Sequence, residues 1–329
     1  MGFAYGVRHC GSDAGGALDL RSGIQSALNA QGPHADAVAD LTWLMIYGGA
    51  AIFALVLGLT TYALWGPKDR AWMGNRRFVL AAGFVFPFVT LTALLVYTFA
   101  VARAIVVFPG APDLRVEIVG EQWWWRIHYL DAGGRVEFAT ANELVIPTGR
   151  SVELILKAAD VIHSFWVPSL AGKLDMIPGH TNRLRISATR PGVFRGQCAE
   201  YCGGPHALMG FFVLAREPAA FEAWRSAQRE PARDSTTDAL RRGRELFLAS
   251  CASCHTVRGT SAEGKLGPDL THVGGRMSIG AATLPNNQDS LAKWIAASQH
   301  LKPGNLMPSM NIYSDEDLRA VAAYLAMLQ

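Results

Sequence analysis

Two uncharged apolar runs limit what this chain can fold into. Leu41 to Trp65 and Phe78 to Ala102 contain no Asp, Glu, Lys or Arg. About twenty apolar residues cross a bilayer as a helix, and both lengths fit. Two buried helices of a soluble core are the weaker reading, because both runs are flanked by charge. Gly66-Pro67 ends the first run and Arg103 the second, and Pro87 should kink the second. The loop between them carries Lys68, Arg70, Arg76 and Arg77 against Asp69 alone. That excess of positive charge expects the loop in the cytoplasm and both termini on the periplasmic side.

The two runs account for most of the composition. Half of the residues are hydrophobic and only 17% are charged. At 329 residues the chain should hold about two domains. A net charge of +3 suggests no nucleic-acid partner. Residues 1–35 are rich in Gly, Ala and Ser and lack an apolar run long enough for a signal-peptide core. They are expected to be a disordered N-terminus or a leader remnant preceded by a misplaced start, with Cys10 as an inert thiol. The hairpin is assigned to 36–108.

From Leu114 the period becomes strand-like. Leu114-Arg-Val-Glu-Ile-Val, Ser151-Val-Glu-Leu-Ile-Leu and Asn182-Arg-Leu-Arg-Ile-Ser alternate apolar and polar residues. Asp131-Ala-Gly-Gly, Pro147-Thr-Gly and Arg190-Pro-Gly mark turns. Several short strands so punctuated predict an all-β sandwich or barrel over 109–217. Glu121-Gln-Trp-Trp-Trp125 is an aromatic cluster in which alternation puts Trp123 and Trp125 on one side and Trp124 on the other.

The densest chemistry lies between two late strands. Gly196-Gln-Cys-Ala-Glu-Tyr-Cys-Gly-Gly-Pro-His-Ala-Leu-Met209 holds two thiols, a carboxylate, an imidazole and a thioether, and His163 stands upstream in Asp160-Val-Ile-His-Ser-Phe-Trp166. Soft sulfur ligands select copper, zinc or iron–sulfur. Two Cys and two His suit a closed zinc tetrahedron. One Cys, two His and an axial Met would suit a mononuclear blue copper, but a second thiolate is present. Two thiolates can instead bridge two copper ions. A disulfide between Cys198 and Cys202 is the bland alternative.

The run Cys198-Ala-Glu-Tyr-Cys-Gly-Gly-Pro-His206-Ala-Leu-Met209, with His163-Ser-Phe-Trp-Val-Pro-Ser, resembles subunit II of cytochrome c oxidase over roughly 35 to 216. The resemblance implies a cupredoxin barrel carrying the binuclear copper centre CuA. Cys198 and Cys202 would bridge the coppers and His163 and His206 would cap them, with Met209 and the Glu200 carbonyl completing the set. It also implies that Trp123 is exposed above the copper and admits electrons. The Glu200 carboxylate would bind magnesium at the interface with subunit I, near which Asp160, Lys173 and Asp175 also match the family pattern. The family often places a carboxylate early in the second membrane helix, near Leu80 here, for proton entry; this chain has none there.

The remainder needs its own account. Pro218 to Arg229 reads as a short amphipathic helix, and residues 230–238 as a polar linker, so 218–238 joins two domains. In 239–329 a helix through Leu240 to Leu248 leads into Cys251-Ala-Ser-Cys-His255, the Cys-x-x-Cys-His signature of c-type haem attachment. A thioredoxin-type pair would not need His255. Gly267-Pro268 stands where class I cytochromes c use a proline carbonyl to hold the proximal imidazole. Helices are expected at Gln288–Ser298 and Asp315–Leu328, with Ser314 as N-cap. Between them, Met307-Pro is the expected sixth haem ligand, Met310 the runner-up. Trp294 is expected on a haem propionate or in simple packing.

The fold class is thus multi-domain: a two-helix transmembrane hairpin, an all-β cupredoxin barrel and an all-α class I cytochrome c domain. The order resembles caa-type oxidases. It implies electron entry from an external donor, cytochrome c or a quinol–cytochrome c reductase, through covalent haem c and CuA to subunit I, with subunit III and membrane lipid as further partners in a bacterial plasma membrane. A CuA-type nitric oxide reductase subunit is the alternative. A membrane-anchored copper carrier would need no haem. Nitrous oxide reductase would need a second, His-rich cluster, and only nine His occur.

Overall fold

The computed structural model describes residues 23–67, 69, 71–106, 110–233 and 237–329. Cys10, Lys68, Arg70 and part of the expected linker lie outside them.

Helix α1 spans Pro33–Trp65, with proline in its first turn where a missing N–H costs nothing. The second apolar run is helical over Arg76–Arg103, divided into α2 (Arg76–Leu80), a π-helical turn (Ala81–Val85) and α3 (Phe86–Val106). Pro87 explains the division. It has no N–H to give and its ring crowds the carbonyl four residues back. The irregularity is taken up one turn earlier, where the Phe86 N–H bonds the Ala81 carbonyl. Mean hydropathies are 1.9 and 2.4, and neither span is buried by the rest of the chain. Phe53, Phe84 and Phe99 are about two-thirds exposed. Thr42, Thr60 and Thr90 turn their hydroxyls onto carbonyls of their own helices at 2.8 Å, which is how such groups are satisfied in hydrocarbon.

Of the segment 1–35 expected to be disordered or a leader remnant, residues 1–22 lie outside the described residues, while the part from 24 onward is ordered. Residues 24–32 form a strap along the β-domain. The Ile24 carbonyl accepts from Arg195 N, Gln31 N donates to the Ser169 carbonyl, and Thr189 N donates to the Gln31 carbonyl. None of these is a pattern that local sequence could reveal.

Ten strands follow: β1 (Leu114–Glu121), β2 (Trp124–Leu130), β3 (Val136–Ala141), β4 (Glu143–Pro147), β5 (Val152–Ala158), β6 (His163–Trp166), β7 (Leu174–Met176), β8 (Asn182–Ile186), β9 (Gly192–Cys198) and β10 (Gly210–Arg216). They form two five-stranded sheets, ordered β3-β2-β1-β5-β8 and β4-β10-β9-β6-β7. Strands β1 and β5 run parallel, as do β10 and β4, and the other neighbours in the two sheets are antiparallel. Strict alternation in β1 buries Leu114, Val116 and Ile118. Their faces meet Trp125, Ile127, Phe165 and Phe211 from the other strands in one core. Tyr129 is wholly buried; its hydroxyl donates to the Val145 carbonyl at 2.7 Å and accepts from Val145 N.

Helix α4 (Pro218–Arg229) lays Phe221 and Trp224 on this core and pins Arg225 to Glu137 at 2.8 Å. The C-terminal domain contains α5 (Asp238–Ser250), α6 (Gln288–Leu301) and α7 (Asp315–Met327). Thr237, Asn287 and Ser314 cap the three helices by accepting backbone N–H bonds. Phe247, Leu291, Ile295, Leu318, Val321 and Tyr324 build its core.

Candidate metal centre and haem site

Antiparallel β9 and β10 hold the ends of the cysteine loop. Cys198 closes β9 and its N–H bonds the Met209 carbonyl, while the 3-10 turn Gly204–Leu208 returns the chain to β10. Strand β6 lies against β9 with Phe165 opposite Cys198, which brings His163 to the same end of the sheet. The two thiols are free and their sulfurs are 3.8 Å apart. His163 Nδ1 is 3.9 Å from Cys198 Sγ and His206 Nδ1 is 3.4 Å from Cys202 Sγ. Met209 Sδ lies 3.8 Å from Cys202 Sγ, and the Glu200 carbonyl is 3.2 Å from Cys198 Sγ. Every donor expected from the sequence is therefore gathered around the two sulfurs. His163, Cys198, Cys202 and Met209 are buried.

The thiols perturb each other. The bond from Cys202 draws the Cys198 thiol down to about 3, with His163 helping against burial. The same bond raises Cys202. One negative charge is thus easily held between them, and a second requires a cation. A soft, buried donor set of this kind fits copper.

Asp160 has a role the sequence did not disclose. Its Oδ1 lies 2.8 Å from His163 Nε2, and its Oδ2 accepts from Gln122 N at 2.7 Å. The carboxylate fixes the ring so that Nδ1 faces the sulfurs. Its position three residues before His163 and its match to the family pattern were the signals available. Gly120 of β1 clears the other side, for a Cβ there would sit 2.8 Å from the ring carbon Cδ2. The Glu200 side chain, Lys173 and Asp175 are exposed and make no bond to the site.

Trp123 lies in the turn between β1 and β2 and not in a strand. Its indole N–H donates to the Cys202 carbonyl at 2.9 Å, and that of Trp125 to the Met209 carbonyl at 3.2 Å. Both rings address the cysteine loop, while Trp124 lies under Arg126, whose guanidinium carbon is 4.6 Å from the ring centre. Only Trp125 is fully buried. Trp123 is half-buried and packs under the C-terminal domain: a Cβ on Gly304 would lie 3.5 Å from its ring. Exposure of this ring was expected, and the second domain covers it.

In the C-terminal domain α5 delivers Cys251 to its end, and a tight turn returns Cys254 N and His255 N to the Cys251 carbonyl. His255 Nδ1 bonds the Pro268 carbonyl at 2.9 Å, leaving Nε2 as the available donor. Gly267 packs on the imidazole so closely that a Cβ would come within 2.5 Å of Cε1. Burial lowers His255 and raises the Cys251 thiol to about 11. Two neighbouring thiols beside an imidazole with one nitrogen pinned are the attachment chemistry of a c-type haem.

Met307 is held by its backbone. Its N–H donates to Asn305 Oδ1, and its carbonyl accepts from Ser298 Oγ and Gln299 Nε2. Its Sδ accepts the Trp294 indole N–H at 3.1 Å. Trp294 is therefore tied to the candidate ligand itself. Met310 is anchored apart, with its N–H on the Ile295 carbonyl.

Residues 114–215 match the family model of the cytochrome c oxidase subunit II periplasmic domain, and 240–329 match that of cytochrome c. Cytochrome c oxidase subunit 2 of Alkalihalophilus pseudofirmus is 41% identical over 221 residues, 67% of this chain and 63% of that protein. The subunit 2 of Bacillus sp. strain PS3 is 33% identical over 225 residues, 65% of this chain and 62% of that one. The crystal structure of the periplasmic domain of subunit II of cytochrome oxidase from Bradyrhizobium japonicum is 31% identical. It aligns with 37% of this chain and 97% of its own length, with a TM-score of 0.35. The chain spans just under two-thirds of the length of the curated relatives it matches.

Proposed function

Because the chain belongs to the cytochrome c oxidase subunit II family and carries a cytochrome c domain after its β-domain, we propose that it is the electron-entry subunit of a terminal respiratory oxidase. His163, Cys198, Cys202, His206, Met209 and the Glu200 carbonyl would hold a binuclear copper, and Cys251, Cys254, His255 and Met307 a covalent haem. When bound, these groups supply one-electron exchange between an external donor and the oxygen-reducing haem–copper centre of subunit I.

The chain's own residues orient and shield. Asp160 sets the His163 ring, and the Pro268 carbonyl sets His255. Phe165 and Phe211 stack on each other and Trp125 meets both edge-on, with centroids 4.7–5.8 Å apart, so that this buried cluster excludes water beneath the cysteine loop. Trp123 joins the two sites, its indole on the Cys202 carbonyl and its ring under the loop that leads to Met307. That shared contact is the observation on which the reading rests. Fusing the donor domain also raises its effective concentration to about millimolar. The exposed Glu200 carboxylate would meet magnesium at the subunit I face, with subunit III and lipid around the hairpin. The basic loop would be cytoplasmic, and both termini and both domains periplasmic.

Metal and haem analysis of the purified complex, with oxygen uptake on reduced cytochrome c, tests this. Two coppers and one c-type haem per chain, beyond the cofactors of subunit I, are expected. Nitric oxide reduction without oxygen reduction would move the chain to a nitric oxide reductase.

A further inference from the structure

Lys302 is 2% exposed, yet it lies at the boundary between the two domains. Its ammonium donates to the carbonyls of Trp123 at 2.6 Å, Leu208 at 2.8 Å and Gly280 at 3.1 Å. An ammonium has three donors, and all three are used. Two acceptors belong to the copper domain, one beside each end of the copper site, and the third belongs to the haem domain. Around this point the surfaces interlock. Gly210 N donates to the Ala281 carbonyl at 3.1 Å, Met277 N to the buried Glu143 carboxylate at 2.7 Å, and Arg126 to the Lys265 carbonyl at 3.0 Å. Gly280, Ala281 and Ala282 take left-handed backbone angles, φ 63°, 62° and 59°. Two alanines seldom adopt that region; here it presents the Ala281 carbonyl to Gly210 of the other domain and the Gly280 carbonyl to Lys302.

Building on the proposed electron-entry role, we infer that Lys302 is a positioning residue that latches the haem domain onto the copper domain. The transfer between them then takes place inside a standing interface. A tethered domain would instead have to dock anew for each electron. The residue stands five positions before Met307, so the loop that presents the candidate haem ligand is also the loop that is locked onto Trp123. One electron lost by one site is gained by the other, and nothing else is consumed.

The test uses the intact oxidase complex. In the wild type, haem-to-copper electron transfer after rapid reduction should not vary with solvent viscosity, and Gly210 and Met277 amides should exchange slowly. In Lys302→Met three carbonyls lose their donor. Exchange at Gly210 and Met277 should rise at least tenfold while α5 and α7 stay protected. Internal transfer should slow at least tenfold and become viscosity-dependent, with copper and haem contents unchanged. Lys302→Gln, which retains two donors, should fall between. A wild-type rate that falls as viscosity rises overturns the latch. So does unchanged exchange at the two amides in Lys302→Met, or a loss of protection throughout α5 and α7 that marks Lys302 as a support of its own domain. Absence of copper or haem from the wild type would overturn the electron-entry reading itself, and the latch with it.

Discussion

Asp160 and His163 meet through Oδ1 and Nε2 at 2.8 Å, and the imidazole is turned by that bond so that Nδ1 faces Cys198. A ring held in this way arrives at its metal in the correct tautomer, and loss of such a partner typically lowers metal affinity 10–100-fold. Asp160→Asn should therefore weaken copper retention by about that factor without unfolding the β-domain. Titration with a copper chelator, followed by metal analysis, measures it; retention equal to wild type would remove Asp160 from the site.

Cys198→Ser replaces one of two sulfurs at the centre of the donor set. Copper should be lost, whereas the haem domain has its own core and should still bind haem and be reduced by the donor. Reduced haem would then persist under oxygen. Turnover at the wild-type rate would refute the proposed order of electron flow.

Gly267→Ala places a methyl 2.5 Å from the His255 ring. Overpacking of this kind costs about 1–3 kcal/mol, and here the strain falls on the candidate haem ligand. A lower melting temperature of the haem domain and an altered haem absorption spectrum should appear together. A stable variant with an unchanged spectrum would show that His255 does not hold the iron.

Glu117 on β1 links Lys157 of β5 at 2.6 Å and His128 of β2 at 3.1 Å. Burial works to raise this carboxyl, and the bonds from Lys157 and His128 outweigh it, keeping it below its ordinary 4.5. A carboxylate depressed on folding adds stability above its unfolded value and loses it as pH falls through the folded value. Glu117→Gln should cost about 0.5–1 kcal/mol near neutrality. The gap in melting temperature from wild type should close as pH drops below 4.5. A gap that persists in acid would mean packing and not charge is at stake.

Much of this arrangement could be read from the chain itself, because the decisive groups are close in sequence. Cys198, Cys202, His206 and Met209 share one loop, Cys251 to His255 one turn, and the uncharged lengths of the two spans need no tertiary information. Strand alternation located β1, β5 and β8 to within a few residues. What could not be read depends on parts of the chain that are distant in sequence. The resemblance placed Asp160 only near the interface with subunit I, and its bond to the His163 ring emerges in the fold. Trp123 looked like an open entry point because nothing in its neighbourhood announces that Gly304 will lie over it. Lys302 sits in a segment whose visible feature was methionine, and its contacts are up to 179 residues away. Pro87 announced a distortion but not its position one turn earlier.

The strap at residues 24–32 carries a topological consequence. It runs directly into α1 at Pro33, while α3 ends at Val106, eight positions before β1 begins at Leu114. The β-domain thus follows the helical hairpin at both of its ends, with the strap leading into α1 and β1 following α3.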